Sequence, residues 1–177
     1  MLRRVRALAL VAGLLLAAPG QAPVCPPGAT RAGEPPPGGS EVWCERPDVS
    51  GKPRRHGPSR AWYDSGDLRV EATWQDGVLH GPFVEYHRGG GRAREGQYRD
   101  GEKQGFWTIW FESGAVEEEA QFDRGRLHGR FASYWPTGRR RAEGRFCHDI
   151  QCGRWTSWNE EGAELGSVVH EEIRGTP

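Results

Sequence analysis

The sequence predicts an all-β protein, an elongated single-layer antiparallel β-meander of about five hairpin repeats of 24 residues each. The first observation is a series of glycines that recur every 24 residues without slippage: Gly57, Gly81, Gly105, Gly129 and Gly153. The second is that most of the 8 Trp, 6 Phe and 4 Tyr fall in fixed positions between these glycines. The third is a shortage of aliphatic residues beyond the first 22, so a folded core has to be built from aromatic rings.

Residues 1–22 have the pattern of a secretory signal peptide. Three arginines precede an apolar run over residues 7–18, and small residues follow it. As a helix this run rises about 18 Å, which is short of the hydrocarbon core of about 30 Å, so a permanent membrane span is disfavoured. We expect cleavage after Gly20 or Ala22, and export to the periplasm, the cell envelope or the medium. Lipid anchoring at Cys25 is not expected, because Val24 stands where a lipid-anchored protein has a small residue.

All four cysteines lie in the part of the chain that would be exported, where disulfides persist. Of the three pairings, the local one is favoured, with Cys25 bonded to Cys44 and Cys147 bonded to Cys152. The alternative is a metal site, because His148 adjoins Cys147, but the spacings do not match those of zinc sites. Residues 23–56 are rich in Pro and Gly and have no period. They are predicted to form an N-terminal cap that contains the first disulfide.

Residues 57–166 contain the repeats, and positions in each unit are counted from its first glycine. A second glycine occupies +9 in every unit: Gly66, Gly90, Gly114, Gly138 and Gly162. Aromatic residues fill +2, apart from Ser59 in the first unit: Phe83, Trp107, Phe131 and Trp155. They fill +5 in all five units: Trp62, Tyr86, Trp110, Tyr134 and Trp158. They also fill +17 in four units: Trp74, Tyr98, Phe122 and Phe146.

Each unit is predicted to form two strands. Residues 105–111 are aromatic and partly β-branched, residues 112–115 are typical of a turn, and residues 116–122 form a second extended segment. Asp-Gly pairs between units, such as Asp76-Gly77, favour tight hairpins, so neighbouring units should pair antiparallel. A helix is disfavoured because each glycine in it costs about 1 kcal/mol. Residues 167–177 are predicted to form a last edge strand and a tail.

The hairpin that joins the last two units offers a check on this register. Positions +18 and +23 are expected to flank a loop of four residues and to face each other across two strands. In the first unit these positions are Gln75 and His80. In the fourth unit both are cysteine, Cys147 and Cys152, so the two positions change together. A facing pair has Cβ atoms about 4.5–5.5 Å apart, which is close enough for a disulfide after modest closure.

Alternation along the second strand separates two faces of the sheet. Position +14 is glutamate in four units, whereas +13, +15 and +17 include small and aromatic residues, so the glutamates are expected on the solvated face. The glutamates are expected to form ion pairs with arginines that lie near them in the sequence: Arg69, Arg94 and Arg141. On the first strand +2 and +5 have opposite parity, so their rings lie on opposite faces unless a bulge intervenes. The +5 rings are therefore candidate binding aromatics, with a purely structural core as the alternative.

This pattern resembles the MORN repeat, in the bacterial variant found in YwqK-type antitoxin proteins. The segments that carry the resemblance are Gly105-Phe-Trp-Thr-Ile-Trp-Phe-Glu-Ser-Gly114 and Glu95-Gly-Gln-Tyr-Arg-Asp-Gly101, and it extends over about residues 57–166. The resemblance implies an elongated stack of hairpins that serves as an interaction module, and it carries an association with toxin–antitoxin systems. The departures are Ser59 at +2, Asp149 in a glycine position at +20, and a ragged final unit.

The residues that could carry chemistry favour no enzyme, cofactor or metal. His56, His80 and His128 share +23, but equivalent residues lie two strands apart, about 9.5 Å, which is too far for one zinc ion. They are expected to form local hydrogen bonds beside turns. The glutamates at +14 lie at the edge of the spacing for a glycosidase pair, but a solvated face does not separate their pKa values. No nucleophile elbow, phosphate-binding loop or zinc-protease motif is present.

The expected function is that of a non-catalytic exported scaffold that binds a protein, such as a toxin or an envelope component, through its hairpin faces or an open sheet edge. The alternative is attachment to a glycan, the cell wall or a lipid surface through the +5 rings. The chain carries 24 Lys+Arg and 24 Asp+Glu, so it lacks the basic excess of a nucleic-acid-binding protein. We expect a monomer.

Overall fold

The computed structural model describes residues 22–171. The predicted signal peptide, apart from its last residue, and residues 172–177 of the predicted tail lie outside the described residues. Within the described part, no helix has the length and apolar character needed to cross a membrane.

The protein is a single open sheet of twelve antiparallel strands, and each strand pairs with the next one in the sequence. The strands are β1 (Thr30–Glu34), β2 (Glu41–Pro47), β3 (Pro53–Trp62), β4 (Leu68–Gln75), β5 (Val78–Tyr86), β6 (Arg92–Arg99), β7 (Glu102–Trp110), β8 (Val116–Asp123), β9 (Arg126–Tyr134), β10 (Arg140–Cys147), β11 (Ile150–Trp158) and β12 (Glu164–His170). At about 4.8 Å per strand, the sheet is about 50 Å long. The predicted all-β meander of hairpins is confirmed.

The turns between units are tighter than the predicted loops of four residues. Gln75 pairs with Val78 across two turn residues, Asp76 and Gly77, which both have positive φ, as a type I′ hairpin requires. The predicted four-residue loop is therefore wrong. In the fourth unit Cys147 pairs with Ile150, so the two cysteines of this hairpin do not face each other directly.

The repeat glycines allow an irregularity that recurs in the first strand of each unit. Gly57, Gly81, Gly105, Gly129 and Gly153 have φ values of 99°, 105°, 72°, 110° and 67°. A side chain at such a φ is strained, whereas glycine adopts it freely. Near Gly81 the pairing of β4 with β5 jumps between Ala72 and Trp74, and β6 and β7 pair with the same kind of jump near Gly105. The bulges therefore recur with the same 24-residue period as the glycines.

The rings at +2 and +17 pack together on one side of the sheet, which we call the ring face. Phe83, Tyr98 and Trp107 meet with ring centroids 5.1–5.8 Å apart, and Phe122 joins Trp107 at 6.3 Å. Further along the sheet, a second cluster has centroids 5.0–5.4 Å apart and consists of Phe131, Phe146 and Trp155. These contacts supply the core that the scarce aliphatic residues cannot, because edge-to-face and tilted rings bury large apolar areas.

Ring size at +2 is matched to the residue at +15 of the preceding unit. A Cβ atom on Gly96 would lie 2.3 Å from the Trp107 ring, and one on Gly144 would lie 2.3 Å from the Trp155 ring. The smaller Phe83 and Phe131 instead pair in register with Ala72 and Ala120. Tryptophan therefore packs over glycine and phenylalanine beside alanine, so the packing alternates from one unit to the next. Core packing at this density leaves no room for an extra methyl group.

The N-terminal segment extends the same sheet. Strands β1 and β2 pair with each other, and β2 pairs with β3. Cys25 is bonded to Cys44, whose side chain is fully buried. In place of the missing +2 ring, the buried Ser59 hydroxyl accepts a hydrogen bond of 2.8 Å from the Trp74 indole N–H. The second predicted disulfide, between Cys147 and Cys152, is also present and joins residues diagonally across its hairpin.

Candidate functional site

The side of the sheet opposite the rings carries a continuous groove, and we call this side the groove face. It presents positions +1, +3, +14 and +16 of successive units, which alternate with the ring-face positions along each strand. One stretch of the groove crosses β7 to β11 and has a volume of about 880 Å³. A second stretch of about 340 Å³ crosses β5 to β7 and shares Phe106 and Thr108 with the first. The packed rings at +2 and +17 lie on the other face.

The predicted glutamates lie on the groove face, together with the +5 rings. The Tyr86 hydroxyl donates a hydrogen bond of 2.8 Å to Glu71, and the Tyr134 hydroxyl donates one of 2.7 Å to Glu119. Burial, reinforced by the hydrogen bond to Glu71, raises the pKa of Tyr86 to about 12. Burial and the hydrogen bond to Glu119 raise the pKa of Tyr134 in the same way. Both tyrosines are therefore neutral donors at physiological pH.

A second bulge, close to the +5 position, determines which face the +5 rings occupy. Ile109 pairs with Glu118 and Trp110 pairs with Val116, so Glu117 is left without a partner in the register. The extra residue of this bulge therefore lies in β8 and not in β7. The parity of the first strand is thus preserved, and +2 and +5 face opposite ways. Trp62 has only 4% of its surface exposed, whereas the other four candidate aromatics are half-buried: Tyr86, Trp110, Tyr134 and Trp158.

The ion pairs of the glutamates use other arginines than the sequence suggested. Glu71 binds Arg60 at 2.7 Å, Glu95 binds Arg92 at 2.7 Å, and Glu143 pairs with Arg140. Of the expected partners, Arg94 pairs with Glu85 and Arg141 donates to the Ser133 hydroxyl, while Arg69 makes no ion pair within residues 22–171. The prediction failed because proximity along one strand is a poor guide to proximity across strands in a bulged sheet.

A row of hydrogen bonds at +6, which was not predicted from the sequence, runs along the edge where each unit turns. The side chains of Tyr63, His87 and Trp135 each bond the backbone carbonyl at +5 of the next unit, at 2.7, 2.9 and 3.2 Å. The bond is lacking in the third unit, where Phe111 has no polar atom to contribute. The signal in the sequence is the run of hydrogen-bonding residues at one position, with a single exception.

The histidines at +23 lie beside the turns, as predicted. His56 Nδ1 lies 3.2 Å from an Asp76 carboxylate oxygen, and His80 Nδ1 lies 3.3 Å from one of Asp100. His128 differs, because its Nδ1 is buried without a hydrogen-bond partner and its ring packs 4.5 Å from that of His148. Among residues 22–171, no group of three or more His, Cys, Asp or Glu side chains is arranged to hold a metal ion.

Residues 55–76 match the model of the MORN repeat variant, and this range covers most of β3, all of β4 and the start of the turn that follows. Repeats of this kind generally serve as modules that interact with proteins or membranes, which favours a non-enzymatic scaffold. No curated protein matches the chain.

Proposed function

We propose that this protein is a non-catalytic exported scaffold that binds another protein, such as an envelope component or a toxin of the antitoxin-like systems, in the groove of its groove face. The observation that carries the proposal is the groove itself, about 880 Å³ across β7 to β11, on the side of the sheet that the ring packing leaves free. Binding sites are typically concave, and this groove is lined by charged side chains such as Glu143 and Arg145 together with the aromatic Phe106. The open edges of β1 and β12 offer a further place for strand addition.

The proposal is tested by affinity capture from an envelope extract with the parent chain and two tryptophan variants. Ala132→Trp fills the groove, because Ala132 lines it between Glu119 and Glu143. Ser113→Trp adds the same bulk on an exposed turn and serves as the matched control. We expect one partner to be retained by the parent and the control and lost from Ala132→Trp. Empty captures, or a partner insensitive to Ala132→Trp, would contradict the proposal.

Export is part of the proposal. Its support is the pair of disulfides, Cys25–Cys44 and Cys147–Cys152, because such bonds persist in oxidising compartments. The test is fractionation of expressing cells followed by mass spectrometry of the intact chain. We expect an envelope or secreted form that begins at residue 21 or 23 and has no free thiol. A cytoplasmic chain that keeps residues 1–22 would contradict export.

A second candidate function is attachment to glycan or lipid through the +5 rings. Trp110 and Trp158 are half-buried on the groove face, so each ring keeps a surface on which a sugar can stack. The paired substitution Trp110→Ala and Trp158→Ala tests this function by co-sedimentation with purified cell wall and with liposomes. Loss of sedimentation in the variant would favour it, and unchanged sedimentation would remove it.

A further inference from the structure

The groove changes character from one end to the other at positions +1 and +16, which form one row across the strands. At +1 the residues are Pro58, Pro82, Phe106, Arg130 and Arg154, and at +16 they are Thr73, Gln97, Gln121, Arg145 and Val169. The first three units are therefore neutral in this row. The strands β9, β10 and β11 each contribute one arginine to it, and all three line the groove.

These three guanidinium groups have no ion-pair partner in the described part of the chain. Arg130, Arg145 and Arg154 are exposed, and none of their side chains makes an ion pair or a hydrogen bond with residues 22–171. Other arginines nearby are paired, such as Arg126 with Asp149. Moreover, Arg130 and Arg145 are direct partners in the sheet register, and like charges in that relation repel each other.

The shape and charge of the surroundings narrow the class of ligand. The arginines lie in a concave groove, and the next row, at +3 and +14, contains Glu119 and Glu143. A flat anionic membrane would bring its headgroups against these carboxylates, whereas a single extended chain lies along the arginine row alone. A guanidinium binds a carboxylate through two parallel hydrogen bonds, and alternate side chains of an extended peptide point the same way.

We propose that Arg130, Arg145 and Arg154 bind an acidic stretch of an extended segment of the partner protein. Phe106, which has 68% of its surface exposed, continues the row two strands before Arg130, about 10 Å away, and contacts an apolar residue of the same segment. The recognised segment therefore has alternating carboxylates and an apolar residue beyond them. This inference rests on the proposed function, because it specifies which part of the groove recognises the partner.

The experiment uses the full oxidised chain and a fluorescein-labelled peptide of alternating glutamate and serine with one phenylalanine at its end. The site variant combines Arg130→Gln, Arg145→Gln and Arg154→Gln. The control variant makes the same charge change at exposed arginines outside the groove, with Arg69→Gln, Arg99→Gln and Arg124→Gln. A second peptide has glutamine in place of glutamate and is measured with the parent chain. It tests whether binding needs the carboxylates of the peptide, and this test does not depend on the folding of the site variant.

We expect anisotropy to show salt-sensitive binding of the acidic peptide that is weakened about tenfold or more in the site variant and less than about twofold in the control. The glutamine peptide should not bind. Equal binding by both variants would overturn the inference, as would arginine-dependent sedimentation with phosphatidylserine vesicles without peptide binding. If a partner captured by the parent is captured equally by the site variant, this inference fails while the proposed function stands.

Discussion

The ring face and the groove face differ in how strongly their residues depend on one another. On the ring face the +2 ring and the preceding +15 residue change together, so that Trp107 lies over Gly96 while Phe83 pairs with Ala72. On the groove face position +1 passes from proline to phenylalanine to arginine with no matching change in the backbone pairing. The ring face therefore maintains the fold, and the groove face is free to vary for binding.

The largest effect is expected where an extra methyl group meets a tryptophan. Gly96→Ala should lower the free energy of unfolding by about 3 kcal/mol, because its Cβ atom would lie 2.3 Å from the Trp107 ring. Adding Trp107→Phe should restore part of the loss, since it recreates the alanine and phenylalanine pairing of the preceding unit. Urea denaturation of the single and double variants measures this coupling.

Gly89→Ala provides the control for that experiment. Gly89 does not have positive φ, and a methyl group added to it would have no heavy atom within 4 Å apart from those of its chain neighbours. Its substitution should change the free energy of unfolding by less than about 0.5 kcal/mol. Additive losses for Gly96→Ala and Trp107→Phe would contradict the size-matching account.

The second effect concerns the disulfide of the hairpin formed by β10 and β11. Cys152 pairs with Arg145 in the register, so the Cys147–Cys152 bond holds the hairpin that presents two of the three groove arginines. Replacing both cysteines with serine should lower the free energy of unfolding by about 2 kcal/mol, as expected for a short closed loop. Thermal unfolding checks this value, and an unchanged midpoint would show that the hairpin needs no constraint.

A smaller effect is expected at +6, where neither face is involved. Phe111→Tyr should allow a hydrogen bond to the Tyr134 carbonyl, equivalent to the bond from Tyr63 to the Tyr86 carbonyl, and should raise the free energy of unfolding by about 0.5–1 kcal/mol. Tyr63→Phe is the matched reverse change and should lower it by a similar amount. The prediction is wrong if Phe111→Tyr leaves the urea midpoint where it was.

The smallest effect is expected from the charges themselves. Arg145→Gln relieves the repulsion with Arg130 and should raise the free energy of unfolding by up to about 0.5 kcal/mol at low salt. The gain should vanish at 1 M salt, where the Debye length is about 3 Å. Arg99→Gln is the control for loss of charge alone. Destabilisation by Arg145→Gln at low salt would mean that the arginine has a stabilising partner within the fold.

The sequence was sufficient for the architecture because the architecture is periodic. The interval between Gly57 and Gly81, the Asp-Gly turns and the cysteine pairs are local patterns, and each led to a prediction that the structure confirms. Side-chain partners across strands were harder, because the bulges shift the register by one or more residues. Thus Arg94, one of the arginines expected beside the glutamates, pairs with Glu85 instead.

The groove arginines were missed for a related physical reason. Arg130 and Arg145 lie 15 residues apart in the sequence, and only the register of β9 with β10 brings them together. The single sequence signal was the change of position +1 from proline to arginine along the repeats, which becomes meaningful once +1 and +16 are known to share a row. Local periodicity finds strands, whereas a site built across them requires the pairing.

Urea unfolding of two chains, measured side by side, tests the central claim that the fold depends on the packing of the ring face and not on the groove arginines. One chain carries Arg130→Gln, Arg145→Gln and Arg154→Gln on the groove face, and the other carries Gly96→Ala on the ring face. We predict that the triple variant unfolds at the same urea concentration as the parent or a higher one, while Gly96→Ala unfolds at a much lower one. A triple variant less stable than Gly96→Ala would contradict the division of the sheet into a structural face and a binding face.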